Sequence, residues 1–168
     1  MSDKAELFVF WPVAVLLVAS AIGVVRARNP VYAAMSLVAA FFLLAGLYVM
    51  LAAHLLAFLQ VMVYAGAIMV LFLFVIMLLS LSDAELGVPR WTAMKWLGAV
   101  GAIGLLAVVW SAIRQAGRGP MRQVAEDFGT VKAVGKLLFT QYLLPFEAAS
   151  VLLLVAIVGA VVVAKQRI

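Results

Sequence analysis

Five long stretches of this chain carry no charge at their centres: 7–25, 30–51, 55–81, 94–113 and 146–164. No other feature constrains the fold so strongly. A helix that crosses a hydrocarbon core of roughly 30 Å needs about 20 largely apolar residues, and each stretch meets that length. Composition says the same: 68% of residues are hydrophobic, 11% are charged, and the mean hydropathy is +1.25. Soluble domains carry about a quarter charged residues, and surface-to-volume scaling leaves a chain of this size no aqueous core large enough to hide so much apolar surface. The expected fold is an all-α integral membrane protein, one membrane domain over 1–168, with lipid as its solvent.

The breaks between spans are marked by local chemistry. Arg26-Ala27-Arg28 makes a basic corner, and Asn29-Pro30 then supplies a helix cap and a residue suited to a first turn. Ala52-Ala53-His54 is a short break before the third span, which is longer than a bilayer needs and must tilt, overhang or distort. The polar SDAELGVPRW segment, Ser82 to Trp91, leads to the fourth span. The long loop, 114–144, opens on a basic, Gly/Pro-broken half. It closes on TVKAVGKLLFTQYLL, where Val131, Val134, Leu137 and Leu138 recur at helical spacing. That pattern predicts a short amphipathic helix at the membrane interface before the fifth span.

An odd number of spans puts the termini on opposite sides. The Lys and Arg residues divide six against six between the two sides, so the positive-inside rule does not choose an orientation. The start, MSDKAELFVFW, lacks the basic region and cleavage site of a secretory signal. The first apolar stretch is therefore read as a retained span. With no Arg/Ser-rich transit peptide, a bacterial protein or one made inside an organelle is expected. The net charge of +5 lies in loops, where Lys and Arg mark topology rather than nucleic-acid binding.

The chain has no cysteine and one histidine, His54, which excludes disulfides, Cys metal sites and a His-based cluster. No phosphate loop or nucleophile–base pair is present. An ionisable residue within a membrane helix is a functional hypothesis by default, yet the one acid beside an apolar run is Glu147, expected in the first turn of the fifth span after Pro145. There it would meet the positive end of the helix dipole.

That leaves QVMVYAGAIMVLFLFVIMLL, 60–79, as the polar machinery at depth. At 100° per residue, Gln60, Tyr64, Ala67 and Leu71 fall on one face and Gly66 points away. Two readings follow. Gln60 and Tyr64 bond a neighbouring helix as glue, or Gly66 weakens the ladder and admits a π-bulge, which rotates one side against the other by about 100°. Phe58, Phe72 and Phe74 would then form a hydrophobic gate. Gly98, Gly101 and Gly104, and Ala156, Ala160 and Ala164, are small-residue strips for helix packing.

FLQVMVYAGAIMVLFLFVIMLL closely resembles the third helix of the J-type membrane subunit of bacterial NADH:quinone oxidoreductase, respiratory complex I, related to the sixth mitochondrially encoded subunit. The likeness extends over ARNPVYAAMSLVAAFFLLAGLYVMLAAH and VGKLLFTQYLLPFEAASVLLLVAIVGAVVVA. It implies a non-catalytic subunit that couples quinone reduction to proton translocation through a gated third helix capable of a π-bulge. Tyr64 and Gly66 inherit that role by position, with Met69 and Phe72 flanking. Gln60 stands where some members have Glu, and an amide cannot take up or release a proton. Glu147 matches an acid common in the family.

The resemblance further implies no cofactor in this chain, with FMN, iron–sulfur clusters and quinone in partner subunits. Those partners are the K-type, quinone-site and antiporter-like subunits of the membrane arm. The implied location is the bacterial cytoplasmic membrane, N-terminus periplasmic and C-terminus cytoplasmic. Two competing readings are a purely structural assembly subunit of that complex and a stand-alone small transporter.

Overall fold

The computed structural model describes residues 3–79, 93–116 and 128–165. The expected polar segment at 82–91, the basic half of the long loop at 117–127 and the last three residues lie outside them. The chain forms two compact units, Met1–Leu79 with Glu126–Ile168, and Ser80–Ala125. Among the described residues five helices are long and apolar enough to cross a membrane: Glu6–Arg26, Pro30–Met50, His54–Leu78, Gly98–Gln115 and Leu143–Ala164.

In the first unit, α1 (Asp3–Arg26) ends on a basic residue and carries Pro12 in its interior. Neighbouring groups can re-satisfy the backbone that such a proline frees in a membrane helix. Next, α2 (Pro30–Met50) begins as its sequence dictates: Asn29 Oδ1 accepts a 2.8 Å hydrogen bond from Val31 N–H, and Pro30 occupies the first turn. The two helices approach closely where a Cβ built on Gly23 would lie 3.2 Å from Ser36 Oγ.

α2 ends in a Schellman turn. Ala52 N–H donates to Val49 O and Ala53 N–H to Tyr48 O, with Ala52 at φ 56°. Glycine usually takes that left-handed position, and alanine there is strained by roughly 1–2 kcal/mol. The chain then re-enters the membrane as one unbroken rod: α3 (His54–Leu59), a π-helical segment (Gln60–Ile68) and α4 (Met69–Leu78).

The core of this unit lies between α2 and that rod. Ala34, Met69 and Ile76 are buried together, with Leu37, Val38, Phe41 and Leu73 packed around them. Among the described residues the remaining buried apolar ones are all alanines, Ala40, Ala45, Ala57 and Ala65. Small side chains let helix backbones approach, which is how helices associate where lipid removes the hydrophobic drive.

In the second half of the long loop, α6 (Val131–Thr140) is N-capped by Thr130, whose Oγ1 accepts from Ala133 N–H at 3.3 Å. Val134 and Leu138 are half-buried, while Val131 and Leu137 remain exposed. It packs on α3 and on α7 (Leu143–Ala164), where the Phe139 and Phe146 rings meet edge to face at 5.1 Å. Since α7 begins at Leu143, Pro145 is its third residue and Glu147 its fifth. Glu147 therefore stands just past the first turn rather than in it. A proline marks a start only to within a turn, because every N–H of the first turn lacks an intrahelical acceptor.

The second unit contributes α5 (Ala93–Ala116). The Arg114 guanidinium lies over the Trp110 ring, 5.0 Å from its centroid, and Ser111 Oγ donates to Val108 O at 2.8 Å.

Candidate functional site

The candidate site is the π-helical segment of the third membrane helix. π-Helical hydrogen bonds span five residues instead of four, and such segments are rare enough that they concentrate at functional positions. At the far edge of this one, Met69 N–H still reaches back to Tyr64 O, five residues earlier, as well as to Gly66 O.

The inward face shows what the wider turn does. Along the rod the buried residues are Ala57, Gln60, Ala65, Met69 and Ile76, with Leu55, Val61, Gly66 and Leu73 half-buried. Among the fully buried positions Ala57 to Gln60 and Ala65 to Met69 keep the three or four residues of an α-helix, while Gln60 to Ala65 is a step of five, and half-buried Val61 falls four residues from both Ala57 and Ala65. The π turn absorbs one extra residue and brings Ala65 and Met69 back into line with Gln60.

This corrects the face expected from uniform 100° spacing. Gln60 is inward at 6% exposure, but Tyr64 is 48% exposed, Leu71 65%, and Ala67 is exposed. These four residues do not share an inward face. Ala65 was missed for the same reason. The signal that could have found it is the recurrence of small or polar residues at Ala57, Gln60 and Ala65.

Each of the other proposed positions has a definite place. The Tyr64 ring packs edge to face on Phe41 of α2, centroids 5.7 Å apart at 70°. Gly66 is half-buried, and a Cβ there would lie 3.3 Å from Val61 O, the carbonyl five residues back. That contact is tight enough to make the neighbour give way. Met69 is buried at 3% exposure. Phe58, Phe72 and Phe74 are all exposed.

Gln60 is the one buried polar side chain among the described residues. Its amide makes no hydrogen bond to another described residue. Among the described residues no fully buried side-chain nitrogen or oxygen lacks a partner, so part of its small exposure falls on the amide itself. The site thus offers a neutral donor and acceptor beside a widened backbone turn. It can hold a hydrogen-bonding group but cannot itself change charge. Among the described residues no three His, Cys, Asp or Glu side chains converge.

Comparison with known proteins places these features. The family described as NADH-ubiquinone/plastoquinone oxidoreductase chain 6 matches residues 20–163, which include the whole third helix. NADH-quinone oxidoreductase subunit 10 of Thermus thermophilus is 41% identical over 87% of this chain and 82% of its own length. Subunit J of the Rhodobacter capsulatus enzyme is 35% identical over 95% and 82%. NAD(P)H-quinone oxidoreductase subunit 6 of the Paulinella chromatophora chromatophore is 36% identical over 99% and 81%. With its several membrane helices, the chain belongs to the NADH-ubiquinone/plastoquinone oxidoreductase chain 6 family.

Proposed function

We propose that this chain couples quinone reduction to proton translocation in NADH:quinone oxidoreductase, with the π segment of the third helix as the moving part. As a member of the chain 6 family it is a membrane subunit of that enzyme and works beside its other subunits. The observation that carries the reading is the π-helical segment Gln60–Ile68 itself, with Met69 N–H bonded five residues back to Tyr64 O. Returning the segment to α-helical pitch would turn one half of the rod against the other by about 100°. The Gln60 amide and the Tyr64 ring would then change neighbours, and a path of hydrogen-bonded groups through the membrane would be made or broken.

In this reading Gly66 keeps the wide turn accessible, Met69 is the apolar residue seated against α2, and Phe72 and Tyr64 present the face that meets partners. Gln60 orients water or a partner's polar group without taking up a proton. Glu147 sits at the membrane interface. FMN, iron–sulfur clusters and quinone belong to other subunits, and the K-type, quinone-site and antiporter-like subunits are the neighbours. The membrane is a bacterial cytoplasmic one, with the N-terminus on the periplasmic side.

The test is Gly66→Leu in an enzyme confirmed to be fully assembled. A branched side chain beside Val61 O strains the wide turn, so NADH oxidation should continue while proton translocation per NADH falls at least about twofold. Unchanged translocation at unchanged oxidation overturns the moving-helix reading. It would favour the assembly role, which has its own support: none of α7's most apolar window is buried by this chain.

A further inference from the structure

We propose that Gly129, outside the membrane helices and far along the chain, is a positioning residue that sets the phase at which the third helix enters its π segment. The first N–H groups of any helix lack an intrahelical acceptor and need a cap. At the start of α3 the capping position is Ala53, whose side chain offers no hydrogen bond. The acceptor comes instead from the segment before α6: Leu55 N–H donates to Gly129 O at 2.9 Å.

Only glycine fits there, for two independent reasons. Its φ is +72°, a conformation that L side chains rarely adopt. A Cβ would also collide with Ala52 O and come 2.8 Å from Ala53 Cα. Gly129 is thus pressed onto the Schellman turn that joins α2 to the rod. The next residue, Thr130, caps α6 with its side chain. Adjacent residues therefore start two helices, one through a backbone carbonyl and one through a hydroxyl. Leu55 lies five residues before Gln60, little more than one helical turn, so a bond that fixes Leu55 fixes the angle at which Gln60 begins the wide turn.

The importance of that phase for coupling rests on the function proposed above, but the cap and the phasing are tested without it. Amide hydrogen exchange at single-residue resolution in the intact oxidoreductase reads the cap. Leu55 should exchange about tenfold more slowly than His54, its uncapped first-turn neighbour, and Gly129→Ala should remove the difference. The phase is read by cross-linking. The chain has no cysteine, so Phe41→Cys with Tyr64→Cys, at positions whose rings touch, reports rotation through a short thiol-specific reagent. Gly129→Ala should cut the cross-linking yield by about half or more.

Exchange at Leu55 as fast as at His54 in the wild-type enzyme overturns the cap, and this result is available even where Gly129→Ala fails to assemble. Faster exchange with unchanged cross-linking overturns the phasing. Neither readout involves proton pumping, so failure of the coupling reading leaves both intact.

Discussion

The third membrane helix and α7 are equally apolar spans of one chain, yet they solve opposite problems. The 25-residue rod is partly buried by α2, departs from α-helical pitch for nine residues, and carries a buried glutamine whose partly exposed amide has no partner among the described residues. The 22-residue α7 keeps regular pitch and none of its window is buried. Its polar Ser150 closes on its own backbone, Oγ to Glu147 O at 2.7 Å. In lipid, an unsatisfied polar group costs several kcal/mol. A helix whose polar groups close on themselves can face lipid or any partner. A helix with an open amide must be placed, and the placement becomes part of its function.

Three substitutions test this contrast, the largest effect first. Met69→Ala empties the middle of the α2 contact, and unfolding of the subunit in mild detergent should become easier by about 2 kcal/mol. That is the low end of the large-to-small range, because lipid or detergent rather than water is the alternative surrounding. Gln60→Leu keeps the volume and removes the amide. The amount of assembled enzyme should hold while protons translocated per NADH fall about twofold or more. A loss of assembled enzyme with intact coupling would make Gln60 glue instead. Leu153→Ala on α7, a residue 66% exposed, should leave the subunit's own stability within about 0.5 kcal/mol. A cost equal to that of Met69→Ala would erase the distinction between the two helices.

The five spans were legible because bilayer thickness leaves a crude mark: about 20 apolar residues, whatever their order. Asn29-Pro30 was legible because capping is local, and Asn29 binds Val31 as its type requires. The grouping of Gln60 with Tyr64, Ala67 and Leu71 did not hold because periodicity analysis assumes one pitch, and a widened turn displaces every later residue from its expected angle. Gly66 invited that suspicion, but only the packing of Ala65 and Met69 on α2 gives the new phase. Gly129 was not legible at all. Its positive φ and its carbonyl's partner depend on a turn more than 70 residues earlier, and nothing in Phe128-Gly129-Thr130 names that turn.

The five-residue step has a consequence for chain length. A regular α-helix joining the same inward positions would be one residue shorter, so the rod holds a single residue of slack, worth about 1.5 Å of rise. Soluble proteins store spare chain in loops. Within the hydrocarbon an irregular loop facing lipid is forbidden, and a widened helical turn, whose hydrogen bonds stay within the helix, is the form in which spare length can survive there.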